Sequence, residues 1–354
     1  MNPITREQLL EMTTNEQLLS GLNLSGLDLS GATLSGVIFE DCSFEGCLLD
    51  RADFSGSSFR GCIFRGASIR TTVFAKANLQ GAILSAIDMT EADLSEAVLE
   101  GADLSGSNLA AANLEKADCD GIVLRKANLT GAKLKMATLD SADLSGADLT
   151  KADLSEADME KSRLEGAIFN TTTCFKTFLS NCSLKQQRFP GCNLIMAHFD
   201  GADLTGADLT GADLTQAGFE SAVLDNANFS GVKAEAVRFE KAMASRARFS
   251  GANLPFADFS GAMLEGCDFS AATLNNSRFA AANCKGSSFA KADLYCADLS
   301  HASLSGCSIT SANLELANLH GSDRTGVNWS GSNKEAALQD DLELLEAENW
   351  GKSL

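Results

Sequence analysis

Residues 202–215 read Ala-Asp-Leu-Thr-Gly-Ala-Asp-Leu-Thr-Gly-Ala-Asp-Leu-Thr, one five-residue unit repeated almost three times. The frame set by Leu204, Leu209 and Leu214 runs unbroken from Leu24 to Trp329, a span of 62 positions. Of these, 56 are Leu, Phe, Met, Ile or Trp; the exceptions are Cys119, Cys174, Cys284, Ala234, Ala244 and Arg324. Two residues before each stands a small side chain, except at Leu22, Leu27, Ile87, Ile122 and Gln187. A period of five is neither the 3.6 of a helix nor the 2 of a strand, so it demands a repeat architecture. One unit buries far too little apolar area to offset about 1–2 kcal/mol of backbone entropy per residue. The units must therefore stack, with successive coils separated by the inter-strand spacing of about 4.8 Å.

This pattern closely resembles the pentapeptide-repeat family of bacterial proteins over most of the chain. The resemblance implies an all-β solenoid, a right-handed quadrilateral parallel β-helix with four pentapeptides per coil. The chain then holds about 15 coils, a stack of roughly 70–75 Å at the sheet spacing. Every twentieth residue supports this: Phe199, Phe219, Phe239, Phe259 and Phe279 fall in one column, and Phe229, Phe249, Phe269 and Phe289 in another. The N-terminal half fills the same columns mainly with Leu.

Solenoid ends need covers, because they otherwise expose core and open strand edges. The expected division is an N-terminal helical cap over 1–21, the repeat over 22–331 and a C-terminal helix over 332–354. Thr5-Arg-Glu-Gln8, Thr14-Asn-Glu-Gln17 and Ser332-Asn-Lys-Glu335 each match the helix capping box. Leu338, Leu342 and Leu345 share one helical stripe, Leu344 lies off it, and Trp350 sits near the helix end. These residues are expected to cap the last coil or to join two chains in a homodimer, as some members of the family do. Irregularities are expected at 171–190, where Gln187 takes an inward position, and at 230–250, where Ala234 and Ala244 underfill the centre as at a bend. Arg324, in the final coil, is expected to meet the acidic C-terminal helix.

The frame also disposes of the 11 cysteines. Cys42, Cys47, Cys62, Cys182, Cys192, Cys267 and Cys307 take the small inward position, Cys119, Cys174 and Cys284 the large one, and Cys296 faces out. They read as small core hydrophobes rather than a disulfide or zinc framework. His198, His301 and His320 fall on outward positions, His301 and His320 on successive coils near Cys296, and no metal is assigned to them. No nucleophile has a base at a fixed spacing, and a filled interior leaves no natural pocket. No enzyme activity and no cofactor are expected.

Net charge is −19. Two stretches lack Lys and Arg: Asn78–Glu115, carrying Asp88, Glu91, Asp93, Glu96, Glu100 and Asp103, and Pro190–Val232, carrying Asp200, Asp203, Asp208, Asp213, Glu220 and Asp225. These twelve acids form the candidate interaction surface, against a plainer reading as water-facing turn residues. Basic patches such as Lys126, Lys133 and Lys135 interrupt them. With no basic stripe, no direct nucleic-acid binding is expected. With no long apolar run and no visible signal peptide, the expectation is a bacterial cytoplasmic protein outside the membrane, secreted if at all by a signal-free route. The family resemblance implies a protein partner. The segment Gln17–Gly31 is similar to accessory proteins of type VI secretion, which load effectors. The acidity resembles topoisomerase inhibitors that mimic DNA, and the rod resembles secreted effectors that bind host proteins. The reading is a non-catalytic interaction scaffold or adaptor, with a secretion component, an effector or a topoisomerase as partner.

Overall fold

A computed structural model describes residues 4–15 and 18–350 of the chain. It divides into two units, Met1–Ser183 and Leu184–Leu354. Each is a parallel β-helix in which residues twenty apart pair. In the first unit Asn23 pairs with Ser43, Ser43 with Ile63, Ile63 with Ile83, and so on to Ser183; in the second, Asp203 pairs with Val223 and Val223 with Met243, up to Asp323.

The five-residue unit closes because every backbone donor in it is spent. In Ala142-Asp143-Leu144-Ser145-Gly146, the Leu144 N–H donates to Arg163 O on the next coil (2.8 Å) and Gly146 N–H to Glu165 O (2.9 Å). Asp143 N–H reaches back to Ile122 O (2.9 Å), and Ala142 N–H closes a turn onto Leu139 O (3.0 Å). The fifth donor, Ser145 N–H, goes to the Asp143 side chain (3.1 Å). In the second unit, Ala257 through Gly261 makes the same five bonds. Asp or Asn at that position is therefore a structural acceptor within the repeat. The residue two past the large core side chain lies in the left-handed region, Gly146 at φ 69° for example. Glycine is favoured there, although Lys151 and Phe256 also hold the conformation.

Inside, the large column is fully buried from Leu24 to Leu319 and the small column fits beside it. Most hydroxyls and thiols at the small position give their proton to a carbonyl 23 residues back, as Ser57 to Leu34 O (2.7 Å), Thr72 to Leu49 O (2.8 Å) and Cys47 to Leu24 O (3.0 Å), whereas Ser277 and Ser322 turn to the carbonyl three back. This is why Ser, Thr and Cys replace Ala there without leaving an unpaired donor. Ten of the cysteines are buried, Cys296 is half-buried, and all are free thiols. Burial pushes Cys182 and Cys267 up to about 12 and Cys307 up to about 11. In the second unit the phenylalanines stack in two columns, Phe239 on Phe219 (5.0 Å) and on Phe259 (4.8 Å), with Phe229 and Phe249 edge-on. A separate cluster in the first unit pairs Phe39 with Phe59, Phe44 with Phe64 and Phe54 with Phe74. The stretch 230–250 is not a bend. Ala234 and Ala244 donate to the next coil at 2.9 and 2.8 Å like their neighbours, and both are buried.

Helix α1 (Arg6–Asn15) covers the first coil. Thr5 and Gln8 make the reciprocal capping bonds, at 2.9 and 3.3 Å. Leu9 is fully buried, and Arg6 donates to Asp28 O and Ser30 O, edge carbonyls of the repeat. The second capping box extends into Glu16 and Gln17, outside the described residues. The solenoid begins earlier than residue 22: β1 (Leu18–Ser20) pairs in parallel with β2 (Ile38–Glu40).

The C-terminal end departs from a single helix over 332–354. Lys334–Ala336 is one 3₁₀ turn, Leu338 pairs with Asn318 as a last piece of repeat, and α2 spans Leu342–Trp350. No capping box forms at Ser332, whose hydroxyl donates instead to Trp329 O (2.7 Å). Nor do Leu338, Leu342 and Leu345 form a buried stripe. Leu338 is not helical, Leu342 is 72% exposed, Leu345 is half-buried and Trp350 is 79% exposed. The reason is that the chain makes one more extended pairing before it coils, which takes Leu338 out of helical phase. Arg324 meets Gln339 (2.9 Å) and the carboxylate of Asp340, both ahead of α2 rather than in it. Val327 and Trp329 stay half-exposed, so the final coil is only partly covered.

Candidate interaction surface

Because residues twenty apart pair, a contiguous run of fifteen winds most of the way round one coil. Asp88 and Asp93 therefore sit on successive sides and Asp103 on a third, past the side that Val98 holds, with Glu91 and Glu96 at left-handed corners. Asp203, Asp208 and Asp213 likewise occupy three successive sides of a coil. The structure does not gather either set on one face. Asp200 and Glu220 do stack, with Glu220 N–H donating to Asp200 at 2.9 Å. Asp225 in turn accepts from Ser245 N–H at 2.9 Å.

Many of these carboxylates are occupied. Asp88, Asp93, Asp103, Asp203, Asp208 and Asp213 each accept the N–H two residues on, at 3.0–3.1 Å. Basic residues one coil away also meet six of the twelve acids: Arg70 with Asp88 (3.6 Å), Lys76 with Glu96 (3.8 Å), Lys185 with Asp203 (3.1 Å), Arg188 with Asp208 (3.7 Å), Lys233 with Asp213 (2.9 Å) and Lys241 with Glu220 (3.3 Å). The Thr210 hydroxyl holds the Asp208 carboxyl below the usual carboxylate range, against partial burial, with help from the Thr210 N–H and Arg188.

A different set of acids does share one corner. Gly101 N–H donates to Asp120 O, Gly121 N–H to Asp140 O and Ser141 N–H to Glu160 O, so Glu100, Asp120, Asp140 and Glu160 lie on four consecutive coils. Asp118 and Asp158 flank them on the same side, each paired to Thr138. Asp140 N–H donates to Asp120 at 3.1 Å, and Gln80 donates to Glu100 at 2.7 Å at the edge of the stripe. Lys161 enters it, 3.6 Å from Asp140 and 3.7 Å from Glu160. Of these six acids only Glu100 was legible as part of an acidic run; counting by twenty finds the others. At the other end of the chain His301, His320 and Glu348 converge, while Cys296 stands apart.

The profile described as pentapeptide repeats (8 copies) matches residues 18–49, 107–146, 137–170, 177–216, 202–240, 235–270 and 272–310, well over half the chain. A second, the pentapeptide repeat region, matches 37–114. The chain belongs to the pentapeptide-repeat family. Its repeats coil as a right-handed β-helix, and the expectation of that fold holds. Solved structures of the family are similar to it at low identity. HetL, involved in heterocyst differentiation regulation in Nostoc sp. PCC 7120, is 24% identical, with 95% of this chain and 98% of HetL covered and a TM-score of 0.15. QnrB1, a plasmid-mediated fluoroquinolone resistance protein, is 20% identical over 65% of this chain and 94% of its own, with a TM-score of 0.23. A pentapeptide repeat protein of the Arabidopsis thaliana thylakoid lumen is 35% identical over 26% of this chain and 71% of its own, with a TM-score of 0.14. Similarity at this level speaks to neither activity nor partner. No curated protein matches the chain. Among the described residues no helix is long and apolar enough to cross a membrane.

Proposed function

We propose that this pentapeptide-repeat protein is a non-catalytic binding scaffold whose four-sided coils, about 15 by the twenty-residue period, present columns of side chains to a protein partner. The observation that carries the reading is the stripe of Glu100, Asp120, Asp140 and Glu160, four carboxylates on one corner of consecutive coils. Like charges at about 4.8 Å intervals raise a local potential that a basic protein surface relieves on docking. The repeat interior is packed, and the depressions lined by Ser30, Asp50, Arg51 and Arg70, and by Glu40, Asp41, Arg60 and Gln80, are open corners of the coil rather than enclosed sites. Such a surface suits docking better than chemistry.

The test is capture from bacterial extract on immobilised protein, washed with rising salt. The expected result is a bound protein released by salt and not retained by the variant E100Q/D120N/D140N/E160Q. Equal retention by the variant contradicts the reading. A DNA-mimicking inhibitor of a topoisomerase is the alternative within the same class. Lys161 inside the stripe breaks a duplex-like field, so sub-micromolar protein is expected to leave gyrase supercoiling unaffected. Inhibition that weakens steeply with salt would favour mimicry. The secretion-accessory reading rests on residues 17–31, of which Leu19, Leu24 and Leu29 serve as core of the first coils.

A further inference from the structure

The geometry points to a divalent-cation site at the C-terminal end, formed by His301, His320 and Glu348, and we propose that zinc is the cation it takes. One ligand atom from each residue lies within 4.8 Å of the other two. Glu348 Oε1 stands 3.4 Å from His301 Nε2, and its Oε2 stands 3.6 Å from His320 Nε2. Around tetrahedral zinc, with bonds of about 2.0–2.1 Å to nitrogen and oxygen, adjacent ligand atoms stand about 3.4 Å apart. Each ring nitrogen therefore has one Glu348 oxygen near that edge length, and a rotation of the carboxylate would turn a single oxygen toward both.

Two features distinguish this from a chance surface cluster. The His320 side chain is only 8% exposed, and its buried Nε2 faces the cluster with no hydrogen-bond partner among the described residues. The three ligands also come from separate pieces of chain. His301 N–H donates to His320 O (2.8 Å), which fixes the two histidines on successive coils, and Glu348 comes from α2. A bound cation would tie α2 to the repeat, where its leucines do not. Three protein ligands leave a fourth position for water.

Asp341 N–H donates to His320 Nδ1 (3.1 Å), so in the metal-free protein the ring carries its proton on Nε2. Cation uptake requires the other tautomer. Nε2 gives its proton to solvent, Nδ1 takes one, the ring stays neutral, and the Asp341 hydrogen bond is lost. The charged groups facing the site are Glu348 itself and Asp340, with Arg324 paired to Asp340. A net negative surround favours a cation.

The test titrates the metal-stripped full chain, carrying no histidine tag, with zinc chloride by calorimetry. One ion per chain is expected. His301→Ala and Glu348→Gln should each weaken uptake at least tenfold; both side chains are partly exposed, so the variants should keep the wild-type circular dichroism. Cobalt should give the visible bands of a tetrahedral ion in the wild type only, and zinc should slow hydrogen exchange across α2. No stoichiometric uptake, uptake that survives both substitutions, or uptake lost only with Cys296→Ser would overturn the proposal.

Discussion

At the residue scale, one aspartate does two jobs. It accepts the N–H two residues on, and it carries the surface charge. Asp208 illustrates both, accepting from Thr210 N–H (3.1 Å) and Oγ1 (2.6 Å). Asp208→Ala should cost about 1 kcal/mol, read from denaturant midpoints, whereas Asp208→Asn should cost less because Asn keeps the acceptor. The sign of the pH effect follows from the depressed carboxyl. Folding favours the ionised form, so this stability is full above the unfolded value near 3.9 and is lost as pH falls through the lower folded value. The wild type should therefore lose more stability than Asp208→Asn below about pH 4. The corner residue makes a separate demand. A Cβ on Gly206 would meet only Gln186 Cγ at 3.6 Å, yet φ is +68°. Gly206→Val should cost about 1–2 kcal/mol through the backbone rather than through crowding, with Gly206→Asn milder.

At the element scale, the two ends differ. Helix α1 seals its coil through Leu9, so Leu9→Ala should lower stability by about 2–5 kcal/mol. Helix α2 buries little, and Leu338→Asp with Leu342→Asp should move the midpoint by no more than about 0.5 kcal/mol each. A large loss with either would mean that the C-terminal segment packs more closely than described. The phenylalanine columns should dominate their unit: Phe239→Ala removes two stacked and two edge contacts and should cost about 3–5 kcal/mol. The core columns were legible from a single frame, because the period itself assigns each side chain inward or outward. The ends were less so. Ser332-Asn-Lys-Glu335 carries the capping letters, but Leu338 gains a backbone partner by extending the repeat, and that pairing outcompetes a helix start.

At the scale of the whole molecule, the net charge of −19 matters less than its arrangement. Acids adjacent in sequence, such as Asp88, Asp93 and Asp103, are spread round a coil and tied up in turns, while Glu100 and Glu160 share a corner. A linear scan therefore finds acidic runs and misses acidic columns. The period of twenty that reveals them is in the sequence, but it shows most plainly in the core, where like side chains recur in columns. The convergence of His301, His320 and Glu348 was beyond reach, because nothing in the repeat dictates where α2 returns. Register by twenty builds the surface. Spin labels at Glu100→Cys and Glu160→Cys, in a chain with Cys296→Ser and its other thiols buried, test it by electron paramagnetic resonance. Three coils at about 4.8 Å put the labelled backbone sites about 14 Å apart despite their wide separation in sequence. A narrow distribution close to that distance, within the reach of the label arms, is the expected result. A broad distribution centred beyond about 30 Å, several times the coil spacing, would contradict the account.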